Sequence, residues 1–285
     1  MDTDRYRVRA NDSSALRRCR SDDTGRFKNK EEALEHLEKG VVRLSHLQEL
    51  LFAQDRHALL LIFQGMDASG KDGTIKHVMS GVNPQGTDVH AFGPPSVDEL
   101  QHDFLWRTTT VLPTRGRIGI FDRSYYEEVL AVRVHRSLLE NERLPPSRVT
   151  RKIWTERFED IRAFERHLWR NGTIVRKFYL HISRAEQARR LAERIDDPAK
   201  NWKFSERDVI ERRKWGEYAR AYAAALAETS RAEAPWYVVP ADHKWFAHAV
   251  VAEIIVQTLE SLPLAFPRVT ARQRQHLRSL RRALR

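Results

Sequence analysis

The sequence contains a single cysteine, no apolar run long enough to cross a membrane, and no apolar stretch near its N-terminus. With Cys19 alone, an intramolecular disulfide is impossible, which favours a reducing compartment. Arginines rather than metal ligands surround Cys19, and this disfavours a metal role for it. A membrane span needs about 20 consecutive apolar residues, and a secretory signal needs an apolar centre. We therefore expect a cytoplasmic protein without a membrane partner.

Acidic residues are outnumbered by basic ones. Fifty Lys and Arg against 39 Asp and Glu give a net charge of +11 and a pI near 10.0. Such a balance favours a polyanionic partner, which could be nucleic acid, an acidic membrane surface or a chain of phosphates. The composition does not choose among these, and surplus surface charge without a dedicated partner is the alternative.

One glycine-bounded segment, LLLIFQGMDASGKDGTI at 59–75, organises the chain. An apolar strand runs into the pattern G-x-x-x-x-G-K and then into a predicted helix, an order typical of a phosphate-binding loop. A glycine-rich turn in an α/β fold is the alternative. Asp72 stands where a Ser or Thr hydroxyl usually holds magnesium. We predict phosphate contacts from the loop around Lys71, namely from Gly65, Met66, Ala68, Ser69, Gly70, Asp72, Gly73 and Thr74.

Two acidic residues are predicted to share a magnesium ion. Asp122 ends an apolar strand, and a carboxylate at that edge of a parallel sheet can hold the metal beside the loop. Asp67 lies inside the loop, where bound phosphates would repel it unless a cation intervened. It could also orient the attacking phosphate; its alternative role is to accept loop hydrogen bonds. Arg123 could reach the transferring group or could instead pair with Glu127.

The element order predicts one large α/β domain. Apolar segments at 57–63, 87–92, 117–121, 173–182 and 236–239 read as strands separated by helices, which indicates a doubly wound parallel sheet. Helices are expected at 30–54, 71–80, 97–107, 125–134, 147–169, 184–195 and 244–259. Residues 1–28 read as a loose arm, 29–262 as the domain, and 263–285 as a basic tail. For the tail we favour a solvated helix over a polyanion-binding arm.

A basic segment near 184–215 has the composition of a lid that closes over phosphates. The alternative is an exposed charged helix. The residues that we assign to phosphate binding here are Arg189, Arg190, Arg194, Lys200 and Lys203.

Five strings together resemble polyphosphate kinase family 2 from about residue 47 to 259. They are QGMDASGKDGTIKHVMSGVNPQG, DFLWR, GRIGIFDRSYYEEVLAVRVH, LHIS followed by EQARR, and DPAKNWKFSERD. The resemblance implies a P-loop kinase fold, with three α/β/α layers, a five-stranded parallel sheet and a helical lid as in thymidylate kinases. It also implies transfer of the terminal phosphate of inorganic polyphosphate to a nucleotide, with Mg²⁺ or Mn²⁺.

Carried onto this sequence, the resemblance makes Asp67, Lys71, Asp122, Arg123 and one lid arginine catalytic. We assign the last role to Arg190, while Arg189 and Arg194 occupy the same region. The GK-D-G string agrees with the family and accounts for the missing hydroxyl. The acceptors implied are ADP and AMP, although some members of that group carry Asn where this chain has Asp122. Guanine nucleotides could also be acceptors, and a homodimer or homotetramer is implied.

Two other functions are weighed against this one. An ATP-dependent nucleotide kinase on the same fold is the nearest enzyme. A nucleic-acid-binding protein would use the basic surface, but no nucleic-acid module or base-stacking motif is recognisable.

Overall fold

The structure, a computed structural model, describes residues 1–284. Its centre is a five-stranded parallel sheet, as predicted, and the strands lie in the order β2-β3-β1-β4-β5. β1 is central, and nearly every residue along it is buried, which explains its uninterrupted apolar sequence. The strands are β1 Ala58–Gly65, β2 Thr87–Ala91, β3 Ile118–Asp122, β4 Thr173–His181 and β5 Trp236–Pro240.

Helices cover both faces of the sheet. Neighbouring residues of β4 point to opposite sides: Arg176 donates to Thr258 on the last core helix, and Lys177 to Glu165 on the opposite layer. This confirms the three-layer α/β/α arrangement. The α-helices are α1 Ala15–Arg18, α2 Lys30–Gln54, α3 Lys71–Val78, α4 Trp106–Thr109, α5 Ala131–Val134, α6 Leu138–Asn141, α7 Ile153–Arg170, α8 Arg184–Asp196, α9 Glu206–Arg213, α10 Trp215–Thr229, α11 Lys244–Glu260 and α12 Ala271–Ala283.

Three predicted helices are shorter or broken. Residues 97–107 form only a 3-10 turn, Glu99–Gln101, and the start of the short α4. The helix is interrupted because the side chain of Asp103 accepts a hydrogen bond from the N–H of Leu105, and a new helix begins there. Residues 125–134 divide into the 3-10 helix Tyr125–Val129 and α5. The stretch predicted at 147–169 begins as the 3-10 turn Pro146–Arg148 and becomes helical only in α7.

The prediction of a loose N-terminal arm is wrong. Tyr6, Val8 and Phe27 are buried in the main core, and the N–H of Val8 donates to the carbonyl of Trp236 at 2.8 Å. This segment therefore covers the free edge of β5, where unpaired backbone groups need partners. The sequence signal was weak because these apolar residues are isolated and follow no period.

The predicted lid and tail are both helical. α8 and α9 flank the 3-10 turn Asn201–Lys203, and Ser205 caps α9. α12 has no buried residue, which fits a solvated helix and a polyanion-binding arm equally well. Among residues 1–284, none of the helices combines the length and the apolar composition that a bilayer span requires.

Candidate active site

The loop between β1 and α3 depends on two glycines. At Gly65 a Cβ would lie 2.5 Å from Oγ of Ser69 and 3.0 Å from the carbonyl oxygen of Leu180, so no side chain fits. Gly70 has φ +99°, a left-handed conformation that glycine adopts without strain. The chain then enters α3 at Lys71. The loop amides and the helix N-terminus thus meet where an anion would bind.

Arg190, on α8, binds the backbone carbonyls of this loop. Its Nη1 donates to the carbonyl oxygens of Ala68 and Ser69 at 3.1 and 2.8 Å, and its Nη2 to those of Asp242, at 3.1 Å, and Ala241. Its Nε donates to Glu186 at 2.6 Å. All five N–H donors of this buried side chain are therefore engaged within the protein. The geometry does not support the catalytic role predicted for Arg190 and makes it a positioning residue.

The charged side chains at the centre of the site are one lysine, Lys71, and two acids, Asp72 and Asp122. Lys71 Nζ lies 3.9 Å from Oδ1 of Asp122. The carboxyl groups of Asp122 and Asp72 are close enough to shift each other's pKa, so Asp72 faces the acid as well as the phosphate site predicted for it. Burial raises the pKa of Asp122 to about 6 despite the charge of Lys71, and Asp72 adds to the rise. Burial also acts to raise the pKa of Asp72, but the interaction with Asp122 and the charge of Lys71 lower it overall.

Asp67 makes a different contact. Its Oδ1 lies 3.3 Å from Nη2 of Arg123, and the N–H of Arg123 donates to the carbonyl of Phe63, which fixes the end of β3 beside β1. Burial raises the pKa of the nearby Glu127, against the opposing charge of Arg123. Arg123 thus lies in the field of two acids, of which the sequence analysis had offered only Glu127 as a partner. The sharing of one metal ion by Asp67 and Asp122 stays a prediction.

The residues around Asp122 fit a divalent cation. Asp122 Oδ1 is buried and has no hydrogen-bond partner, and a second carboxyl, that of Asp72, is in contact. Mg²⁺ and Mn²⁺ prefer such oxygen ligands and would relieve the repulsion of two adjacent acids. Within the described chain, no group of three or more His, Cys, Asp or Glu side chains is arranged to hold a metal, so phosphate oxygens or water would have to complete the coordination.

The basic residues of the lid mostly pair with neighbouring residues. Arg189 pairs with Glu186 and Glu193 on the surface. Arg194 lies 3.1 Å from Asp208, and Lys200 lies 2.8 Å from Asp197.

Lys203 differs from these because it has no ion pair with any of the described residues, and its charge contributes to lowering the pKa of Asp72. Its Nζ also lies 4.9 Å from the ring centroid of the exposed Trp202.

Three residues of the site had no assignment from sequence. Gln187 donates to the carbonyl oxygen of Asp67 at 3.0 Å and supports the loop beside Arg190. Tyr218 and Tyr222 lie on α10, and burial raises the pKa of both phenols. The hydrogen bond from Tyr218 to Glu211 adds to the rise at Tyr218, and the charges of Glu127 and Asp67 add to it at both residues. Their spacing of four residues is a helical signal, but on an alanine-rich helix it is typical of core packing.

Comparisons with known proteins agree on one family. A family model described as Polyphosphate kinase 2 (PPK2) matches residues 27–265. The ADP-polyphosphate phosphotransferase of Rhodopseudomonas palustris is 52% identical over 259 residues, which are 90% of each chain. The AMP/ADP-polyphosphate phosphotransferase of Meiothermus ruber is 46% identical over 264 residues, 92% of this chain and 95% of that one. The crystal structure of Polyphosphate Kinase 2 from Arthrobacter aurescens TC1 superposes with a TM-score of 0.83 at 37% identity and covers 92% of this chain and 91% of that one.

Proposed function

The chain belongs to the polyphosphate kinase 2 family, and we propose that it transfers the terminal phosphoryl group of inorganic polyphosphate to ADP and AMP. The products are ATP from ADP, ADP from AMP, and a polyphosphate shortened by one unit. The enzyme is thus a polyphosphate:nucleotide phosphotransferase. The single observation that carries the proposal is the position of Lys71 Nζ, 3.9 Å from Asp122 where the loop, β1 and β3 meet.

The side chains of the site act mainly by positioning. A terminal phosphate oxygen of the nucleotide attacks the last phosphorus of the chain, and the bond from that phosphorus to the next bridging oxygen breaks. The loop amides and Lys71 bind the phosphates and offset their negative charge. Arg123, held by Asp67 and by the backbone of β1, is close enough to the loop to contact the group in transfer.

The proposal includes a divalent cation, Mg²⁺ or Mn²⁺, bound by Asp122 and Asp72 with Asp67 nearby. When bound, the ion neutralises charge on the phosphate oxygens. The pKa of Asp122 is raised only to about 6, so at neutral pH its carboxyl group is readily deprotonated and can bind such an ion.

Several finer assignments belong to the same proposal. Guanine nucleotides are possible acceptors, and the assembly is a homodimer or homotetramer. The lone Cys19 supports a cytoplasmic location. The net charge of +11 suits a long polyanion, whose binding should weaken with added salt.

The decisive experiment supplies polyphosphate, Mg²⁺ and ADP with no ATP and measures ATP by luciferase luminescence. We expect ATP to accumulate, and AMP in place of ADP to give ADP. If ATP is absent with polyphosphate but ADP forms when ATP and AMP are supplied, the chain is an ATP-dependent nucleotide kinase instead. GDP and GMP in parallel reactions define base preference, and Lys71→Ala is the inactive control.

A further inference from the structure

The C-terminal segment carries only positive charge. From residue 261 to 285 the sequence has no Asp or Glu, and seven arginines lie between 268 and 285. The body of the domain ends just before it: Leu262 and Leu264 pack on the core, and Pro263 accepts a hydrogen bond from Gln54 at 2.7 Å. From Phe266 to Leu284 every residue is exposed. The segment therefore leaves the body as a charged helix with an open surface.

Three arginines of α12 form a straight row. Arg274, Arg278 and Arg281 are spaced i, i+4 and i+7, so their side chains follow one side of a helix that is roughly 20 Å long. Like charges at this spacing destabilise an isolated helix. No ion pair in the described chain involves any of these guanidinium groups, so the protein itself offers no counter-charge. A linear polyanion laid along the row would supply it.

The row is also an addition to the family domain. The family model ends at residue 265, and α12 begins at Ala271. The loop, the acids and the lid all lie inside the matched range. The tail is therefore not needed to explain the reaction, and its charge calls for a separate role.

We propose that α12 is an accessory binding site for inorganic polyphosphate, which holds a distant part of the same chain that feeds the active site. This inference rests on the proposed function for the identity of the polyanion. Tethering raises the local concentration of substrate at the loop without adding a contact to the reacting phosphate. It should therefore lower the KM for long polyphosphate, leave kcat unchanged, and disappear at high salt.

An anionic membrane is the competing partner. Leu277, Leu280 and Leu284 lie on the neighbouring side of α12 and are about half exposed or more. Basic helices with an apolar side bind lipid surfaces. Three leucines form a narrow stripe, however, while the arginine row matches a linear partner along its whole length, so polyphosphate is the partner that we adopt.

The test compares two variants of the full chain that lose the same charge. The tail variant combines Arg274→Gln, Arg278→Gln and Arg281→Gln. A control variant removes three arginines that are also exposed and outside ion pairs but lie on the body. These are Arg148, Arg166 and Arg170, each replaced by Gln.

Binding of fluorescently labelled long polyphosphate is measured first, without nucleotide, by anisotropy at low and at high salt. We expect the tail variant to bind roughly tenfold more weakly at low salt, since each exposed charge pair contributes a modest factor. The control variant should stay close to the parent chain. Steady-state assays should show the same factor in KM with kcat unchanged, and tripolyphosphate, which is too short to span tail and site, should show no difference. Equal affinities for the two variants would overturn the inference.

Three further outcomes separate the alternatives. If the parent chain binds phosphatidylglycerol vesicles through the tail while the tail variant keeps full polyphosphate affinity, the partner is a membrane and the inference is wrong. If ATP forms from polyphosphate and ADP but both variants bind polyphosphate alike, the accessory site fails while the proposed function stands. If the tail binds polyphosphate and no nucleotide product forms, only the proposed function fails.

Discussion

The guanidinium of Arg190 donates to the carbonyl oxygen of Ser69 at 2.8 Å, across 121 residues of sequence. Because Gln187 on the same helix donates to Asp67, the first half of α8 is fastened to the loop. The part of the lid that is free to move must therefore begin further along the chain. The 3-10 turn Asn201–Lys203 lies there with the exposed Trp202. By contrast, α9 is tied back to α8 by Arg212, which donates to the Arg184 carbonyl and to Gln187.

Replacing Arg190 should damage the loop rather than a single substrate contact. Arg190→Ala leaves the loop carbonyl oxygens of Ala68 and Ser69 without this buried donor, so we expect the free energy of unfolding to fall by about 3–5 kcal/mol. Turnover should fall with polyphosphate and nucleotide alike. Arg190→Lys keeps the charge but loses the fork of donors and should be intermediate. Urea denaturation and steady-state kinetics measure both effects.

The neighbouring Arg189 serves as the control. Its guanidinium is exposed, and Glu186 stays paired with Arg190 when Arg189 is removed, so Arg189→Ala should cost less than about 1 kcal/mol. A loss confined to polyphosphate affinity in Arg190→Ala, with normal stability, would restore the lid role that the sequence predicted.

Lys71 and Asp122 should be essential to turnover but dispensable for folding. Lys71→Ala removes the positive charge beside the transferring phosphate, and we expect kcat to fall on the order of 10³-fold. Asp122→Asn should be as inactive, yet its stability at pH 7 should be unchanged or higher, because it ends the contact between two buried acids. Thermal unfolding followed by circular dichroism checks the fold. A normal rate in either variant would remove that residue from the mechanism.

A magnesium titration should identify the carboxylates that hold the ion. We expect Asp122→Asn and Asp72→Asn to raise the Mg²⁺ concentration for half-maximal activity at least on the order of tenfold, wherever residual activity allows measurement. Asp67→Asn should change this concentration less, since its observed partner is Arg123 at 3.3 Å. Direct binding of Mn²⁺ by electron paramagnetic resonance gives the same ranking without turnover. If Asp67→Asn weakens Mn²⁺ binding most, the pair predicted from sequence is the correct one.

Two glycines of the loop region differ in the space available for a side chain. Gly65→Ala would force a Cβ to within 2.5 Å of Ser69 Oγ, so we expect a loss of about 1–3 kcal/mol and of most activity. At Gly73 nothing lies within 4 Å of an added Cβ, and the residue is helical, so Gly73→Ala should be stabilising by up to about 1 kcal/mol. Chemical denaturation of both variants tests the contrast. Similar losses in both would mean that the loop tolerates no added methyl for reasons other than packing.

The sheet and the loop were predictable because buried parallel strands have continuous apolar sequences and because the loop glycines have a fixed spacing. The orientation of charged side chains was not. An arginine in a basic helix has the same local sequence whether it faces loop carbonyls, as Arg190 does, or solvent, as Arg189 does. The contact of Asp72 with Asp122 likewise depends on tertiary distance. Tyr6 and Val8 escaped notice because two buried side chains create no period.

His248 should make the stability of the protein fall in mild acid. Its ring is buried and stacked on His77 at 4.5 Å, and burial, together with the charges of His77 and Lys244, lowers its pKa to about 4 from 6.5. Between pH 6.5 and pH 4, His248 is therefore protonated in the unfolded chain but not in the folded chain. The free energy of unfolding falls as the pH falls through this range.

At pH 5 this difference in proton binding by His248 amounts to about 2 kcal/mol. The variant His248→Gln cannot titrate there, so its free energy of unfolding should fall less between pH 7.5 and pH 5 than that of the parent chain, by about that amount. Urea denaturation of both proteins at the two pH values measures the difference, and the other titrating groups cancel because both chains share them. Equal losses in the two proteins would show that His248 takes up its proton in the folded state. In that case its stacking on His77 must open in acid before the rest of the domain unfolds.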